Sequence, residues 1–219
     1  MIFMLKAQAD IVAAVIIIII ALSLTGLTYS ILQPLIQKRQ DTAVLNRVFN
    51  SFSSETSSSL GKKIQSITYS KGDDTFVLDN EGYWRLYGYD AATIENNSIQ
   101  FTFLSKVTGI TADIGWVPLE STANCGASNG LLGIDEPFVV CGRADRRPDG
   151  YNVTIKTWFR ELDDSLTSPT IGSIIRLSPQ IPALNTSVGK GVKISYGGTT
   201  QQTVGSKNLI ITEVKILLE

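Results

Sequence analysis

The stretch Val15-Ile16-Ile17-Ile18-Ile19-Ile20-Ala21-Leu22 lies at the centre of a run, residues 11–37, that contains no charged side chain. A helix over this run is about 40 Å long, and the hydrocarbon core of a membrane is about 30 Å thick. Five consecutive isoleucines leave no polar side on the helix, so it needs lipid or other helices around it. The run exceeds the apolar region of about 7–15 residues in an ordinary secretory signal. We therefore expect the helix to remain in the mature protein.

The composition argues against several classes of function. The 219 residues include 19 lysines and arginines against 20 aspartates and glutamates, so no strong positive field draws in nucleic acid. Histidine is absent, which removes the commonest general base near neutral pH and the commonest transition-metal ligand. We expect a protein that is not an enzyme, with no catalytic residue, no metal, no cofactor and no nucleic acid partner.

After the apolar run, the apolar positions recur every three or four residues. Val44, Val48 and Phe52 follow this spacing, and so do Leu60 and Ile64. The spacing predicts an amphipathic helical connector over residues 41–67, frayed around the serines at 57–59. It follows a membrane or filament-core helix over residues 8–40, which we expect to bend at the proline at position 34.

From residue 68 onward the pattern becomes that of β-strands. Candidate strands cover residues 75–78, 83–87, 99–103, 109–112, 152–159, 174–177, 192–196 and 209–216. Turn sequences separate some of them, at Asp79-Asn80-Glu81-Gly82, Pro148-Asp149-Gly150 and Gly197-Gly198. About eight strands at this spacing favour an antiparallel sandwich, Greek-key or Ig-like. The predicted fold class is α+β: a long N-terminal apolar helix followed by an all-β extracytoplasmic sandwich over residues 68–219.

Cys125 and Cys141 lie in a segment that reads as a loop. Two thiols without histidine are too few ligands for a zinc site, so we predict a disulfide, which an oxidising compartment beyond the membrane permits. Two buried free thiols are the alternative. Three Asn-x-Ser/Thr triplets, which begin at Asn96, Asn152 and Asn185, are candidate glycosylation sites.

The segment Tyr83-Trp84-Arg85-Leu86-Tyr87-Gly88-Tyr89 places its tyrosines on one side of a strand and Trp84 with Leu86 on the other. An exposed tyrosine side would offer a flat surface to sugars or to a partner subunit. We favour ordinary sandwich packing or an aromatic sheet face.

The acids at 73–74 and at 161, 163 and 164 are of the type that holds calcium, but we interpret them as solvated turns. The arginines at 143, 146 and 147 are interpreted as a solvated loop.

The residues Lys6-Ala7-Gln8-Ala9 lead directly into the apolar helix. This arrangement resembles the class III signal of archaeal type IV pilins and archaellins, in which a basic and a small residue precede the helix. The resemblance covers residues 1–40. It implies that residues 1–7 are a leader and that a prepilin peptidase cuts between Ala7 and Gln8, which leaves the helix as the new N-terminus.

The resemblance implies a structural subunit of a type IV pilus-like filament at the cell surface. The helix would lie in membrane lipid first and then pack against the helices of other copies in the filament core, with the β-domain facing outward. The alternative is a monotopic membrane-anchored extracytoplasmic protein whose β-domain binds a surface layer, a glycan or a stator-type component of the archaellum. The sequence leaves open whether the filament serves motility, adhesion or another role.

Overall fold

A computed structural model describes the backbone of residues 2–89, 97–120, 124–125, 129–164 and 170–219, with side chains from residue 15 onward. The helices are α1 (Ile2–Phe52) and α2 (Leu60–Ser70). The strands are β1 (Asp73–Tyr87), β2 (Ser98–Ser105), β3 (Val117–Pro118), β4 (Gly130–Leu131), β5 (Phe138–Arg147), β6 (Gly150–Phe159), β7 (Leu162–Asp164), β8 (Thr170–Pro179), β9 (Thr186–Val204) and β10 (Lys207–Leu218). The chain divides into two compact units, Met1–Thr42 and Ala43–Glu219.

The helix α1 continues through Pro34 and ends at Phe52. Turns follow, and then Ser59 caps α2 by accepting a hydrogen bond from the Lys62 N–H at 3.4 Å. At the other end of α2, Lys71 adopts a left-handed conformation with φ of 55°, and its N–H donates to the carbonyl of Ile67. The amphipathic stretch therefore consists of the last turns of α1, a turn segment and α2.

The ten strands belong to one sheet in the order β3-β5-β6-β2-β1-β9-β10-β8-β7-β4. Most neighbours are antiparallel, but β8 pairs with β10 in parallel, and so does β4 with β7. The sheet curls into a half-barrel. The α+β class is thus confirmed, whereas the predicted two-sheet sandwich is wrong.

The end of α1 and α2 occupy the place that a second sheet would take. Their apolar side chains are buried in one core with the inward residues of the strands: Leu45, Val48, Phe52, Leu60, Ile64 and Ile67. The Phe52 ring lies 5.9–6.2 Å from the rings of Phe76, Trp84 and Phe101. Because helices already cover the concave face, a single sheet completes the core, and the strand pattern alone could not reveal this.

Several local predictions differ from the structure. Residues 79–82 lie inside β1, at a register shift opposite β9, and Gly197-Gly198 lies inside β9, near a shift opposite β10. Residues 109–112 are not a strand, whereas β5 replaces part of the predicted loop. The turn at Pro148-Asp149-Gly150 is confirmed as the β5–β6 hairpin, in which Arg147 pairs with Gly150.

Candidate functional site

The first candidate site is the apolar surface of α1. All side chains of residues 15–36 are exposed in the isolated chain, with Ile17 at 66% and Leu22 at 68%. Among the described residues, Val15–Phe52 is a helical segment long and apolar enough to cross a membrane, a test that a signal sequence near the N-terminus also passes. Apolar surface on every side of a helix is stable in lipid or against other helices.

The hydroxyl groups of this segment bond to the helix itself. Those of Ser23, Thr25 and Thr28 donate to carbonyl oxygens four residues earlier at 2.7–2.8 Å. The Ser30 hydroxyl donates to the carbonyl of Leu27 at 2.8 Å. These bonds let the hydroxyls enter an apolar environment without losing a hydrogen-bond partner. The four hydroxyl side chains at 23, 25, 28 and 30 are therefore compatible with lipid.

The residues of the predicted leader site, Lys6, Ala7 and Gln8, lie in the first turns of α1. Their side chains fall outside the described part of the structure. Cleavage between Ala7 and Gln8 stays a prediction.

The predicted disulfide is confirmed: Cys125 is bonded to Cys141, with a Cα–Cα distance of 6.1 Å. Cys141 lies on β5 rather than in a loop, and it is buried beside Val139 and Trp158 on the outer face of the sheet. The bond ties the segment before β5 to this face. A bond that closes a ring of this length stabilises the fold mainly because it restricts the unfolded chain.

The three glycosylation triplets occupy different environments. Asn96 lies outside the described residues, although Ser98 of its triplet is fully buried. Asn152 is half-buried in β6, and Thr154 of its triplet is 4% exposed. Asn185 is exposed immediately before β9. Glycan attachment stays a prediction at all three, and Asn185 offers the easiest approach among the described pair.

A second candidate site lies on the outer face of the sheet, across β1, β2, β6 and β5. The strand register places Arg85 beside Gln100 and Gln100 beside Lys156. The next outward-facing row consists of Tyr83, Thr102, Thr154 and Arg143. With Tyr87 and Trp116, these residues line a cavity of about 430 Å³, which we call the cationic groove.

The tyrosine side of β1 is this outer face. Trp84 and Leu86 are buried on the inner face, whereas Tyr83 is 37% exposed. Sandwich packing is therefore wrong for Tyr83, whereas an aromatic sheet face, the other form of the favoured interpretation, describes it. In the part of the chain that the structure describes, helices pack on the concave face of the sheet, and the opposite face of β1 is open at Tyr83.

Two tyrosine hydroxyls orient Arg85 in the groove. Its guanidinium donates to the Tyr87 hydroxyl at 3.0 Å and to the Tyr83 hydroxyl at 3.4 Å. Its central carbon lies 5.8 Å from the Tyr87 ring centroid and 5.5 Å from that of Tyr83. The bonds to Tyr87 and Tyr83 raise the pKa of Arg85, and the bond from Arg85 lowers the pKa of the Tyr83 hydroxyl. Arg85 is thus a permanent, preoriented cation.

The far side of the groove combines two further cations with an indole ring. The Lys156 ammonium lies 4.5 Å from the Trp116 ring centroid, and the Arg143 guanidinium lies 5.1 Å from it. Arg143 also donates to Asp145 at 3.0 Å. The interpretation of Arg143 as part of a solvated loop is wrong, because it is a half-buried residue of β5.

Backbone pairing places Trp116 over these cations. The residues that follow it form β3, which pairs with β5 at Cys141 and Gly142. Before it, the Asp113 N–H donates to the Ala144 carbonyl at 2.8 Å, and Gly115 adopts a φ of 86° that favours glycine. The indole is therefore held against β5 from both sides.

The clustered acids form ion pairs. Asp74 accepts hydrogen bonds from the Lys63 ammonium at 2.8–2.9 Å, and this contact lowers the pKa of Asp74. Lys207 lies between Glu161 and Asp163. Burial is the largest single influence on Asp163 and raises its pKa, but the hydrogen bonds from Lys207 and Asn129 and the charge of Lys207 together outweigh burial, so the pKa is lowered. Within the described ranges, no group of three or more acids or cysteines is arranged to hold a metal ion.

No family model, curated protein or solved structure matches this chain. α1 and the cationic groove are therefore the two features of the molecule that bear on its function. Sequence reasoning missed Lys156, Trp116 and Gln100 as site residues. Lys156 and the threonines in the strand at 152–159 could have indicated a polar surface there. Only the strand order places that strand near β1, with β2 between them.

Proposed function

We propose that this protein is the structural subunit of an archaeal type IV pilus-like surface filament, with its N-terminal helix in the filament core and its β-domain outward. One observation carries the proposal. The helix that exposes apolar side chains on every side at residues 15–36 also supplies Leu45, Val48 and Phe52 to the core of the β-domain.

The length of α1 favours a filament over a simple anchor. A membrane anchor needs about 20 residues, whereas α1 has 51. A flexible linker is enough to tether a binding domain to a membrane. A filament subunit uses both parts of such a helix, because the apolar part packs in the filament core and the last turns belong to the core of the outer domain.

The other expectations fit this role. A prepilin peptidase would remove residues 1–7, and the helix would remain in membrane lipid until it packs against the helices of other copies. The disulfide suits an extracellular location, because such bonds persist in oxidising surroundings. The exposed Asn185 suits a glycoprotein surface.

The test is the N-terminal sequence and intact mass of the protein from sheared surface material and from membranes. We expect a chain that begins at Gln8 in the sheared fraction. Lys6→Glu should abolish cleavage and leave the chain in membranes. Lys38→Glu, a charge reversal on the other flank of the apolar run, is the matched control for cleavage. An uncleaved wild-type chain found in membranes alone would overturn the proposal.

The second candidate is the membrane-anchored extracytoplasmic binding protein. The cationic groove favours it, because a structural subunit does not require a lined cavity on its outer face. The same fractionation separates the two candidates, since an anchored binding protein would not enter the sheared filament fraction.

A further inference from the structure

We propose that the cationic groove binds an acidic polysaccharide through the carboxylate of a uronic acid residue. The groove is formed by residues of the β-domain alone, so this inference does not depend on whether the protein forms filaments.

The charges in the groove select an anion. Arg85 stands at one end, on β1, whereas Lys156 and Arg143 stand towards the other, on β6 and β5. Among the described residues that line the groove, none is acidic; Asp145 contacts Arg143 from beside it. Arg85 is exposed and Arg143 is half-buried, so a ligand can contact both, whereas Lys156 is 3% exposed beside the Trp116 ring and adds positive charge to the lining.

The remaining lining suits a sugar. The floor presents the Gln100 amide and the hydroxyls of Thr102 and Thr154, which lie 2.9 Å apart. These groups both donate and accept hydrogen bonds, as a polyol requires. Aromatic rings stand at both ends, with Tyr83 on β1 and Trp116 beside β5, and such rings combine an apolar face with a polar tip.

The dimensions suit a short stretch of polymer. The groove crosses four adjacent strands, which at usual strand spacing is about 14 Å from β1 to β5. Its volume of about 430 Å³ falls within the range of small-ligand sites, about 300–1,000 Å³. A bound chain would cross the strands, with one carboxylate near Arg85 and another near Arg143.

The geometry favours a carboxylate over a phosphate. Phosphate sites commonly use backbone N–H groups at helix ends or in tight loops. Here the floor consists of paired strands, whose N–H groups lie in the plane of the sheet and bond to neighbouring strands. Side chains alone face the ligand, and the planar guanidinium of Arg85 matches a planar carboxylate.

The experiment is calorimetric titration of the full chain in detergent micelles with oligogalacturonate. The methyl-esterified oligosaccharide is the matched neutral ligand, and inorganic phosphate and polyglutamate are the other anions. Arg85→Gln tests the groove, because this side chain is exposed and outside the core. Arg147→Gln removes an exposed cation that does not line the groove. Thermal unfolding of both variants checks that the fold is retained.

We expect oligogalacturonate to bind and its methyl ester to bind at least about tenfold more weakly, since a charge-assisted contact is lost. Arg85→Gln should weaken binding by a similar factor, whereas Arg147→Gln should leave it within about twofold. No binding to the wild-type chain, equal binding of the ester, or equal loss in both variants would overturn the proposal. Tighter binding of phosphate or polyglutamate would also overturn it, in favour of a phosphate or an acidic protein segment.

Discussion

The side chain of Asn97 bridges two strands that are not neighbours in the sheet, and its removal should strongly destabilise the β-domain. Asn97 is 2% exposed. Its amide nitrogen donates to the carbonyls of Phe159 on β6, at 3.0 Å, and of Ile175 on β8, at 2.6 Å. Its amide oxygen accepts from the N–H of Leu177 at 2.9 Å. Four strands separate β6 from β8 in the sheet order, so these bonds close the half-barrel.

The expected loss of stability follows from the backbone groups that lose their hydrogen bonds to Asn97. β7 pairs with β8 only at residues 171–173, so the carbonyl of Ile175 and the N–H of Leu177 face an edge that β7 leaves open. Asn97→Ala deprives three backbone groups of these bonds, at about 1–3 kcal/mol for each buried group left unpaired. Allowing for partial access of water, we expect a loss of about 3–5 kcal/mol, from a total stability of about 5–15 kcal/mol.

The assay is urea and thermal unfolding of the full chain in detergent, followed by the β-sheet circular dichroism signal. Asn129→Ala is the control, because it removes one exposed hydrogen bond to Asp163 and should cost under about 1 kcal/mol. Asn97→Asp keeps an acceptor for Leu177 but loses both donors. Burial raises the pKa of the introduced carboxyl, so this variant should gain stability as the pH falls. If Asn97→Ala costs no more than the control, the bridge does not hold the half-barrel closed.

Two further substitutions test the core and the half-buried ion pairs of Lys207. Phe52→Ala should lower the free energy of unfolding in urea by about 3–5 kcal/mol. Phe49→Ala, at a half-buried position of the same helix, should lower it clearly less. Equal losses would mean that the end of α1 is not central to the core. Lys207→Met should cost about 1–3 kcal/mol at neutral pH, because Glu161 and Asp163 lose their cation. The pKa of Asp163 is lower in the folded protein than in the unfolded chain, where it is near 4, so its ion pair stabilises the fold above about pH 4. This stabilisation is lost as the pH falls through the folded-state pKa. The wild-type protein and Lys207→Met should therefore approach the same free energy of unfolding in acid. A difference that stays constant with pH would contradict this account.

Features that depend on local composition could be predicted before the fold was known. An uncharged run with five consecutive isoleucines gives an apolar helix whatever follows it, and the structure has that helix. The chain has two cysteines, so a single intramolecular disulfide was possible, and it is present. The hairpin turn at 148–150 was also predictable, because proline, aspartate and glycine favour the turn directly.

The tertiary structure alone decided how the strands are arranged and what their outer face presents. Residues 79–82 read as a turn, yet β9 pairs with Val77 before them and with Gly82 at their end, so they lie inside β1. The same alternating strands would suit a sandwich, but the end of α1 and α2 cover the concave face and leave Arg85 on the open one. The cationic groove joins residues from β1 to β5 that are far apart in the chain. Periodicity reports which side of a strand is apolar, whereas strand order is set by long-range contacts that no local pattern encodes.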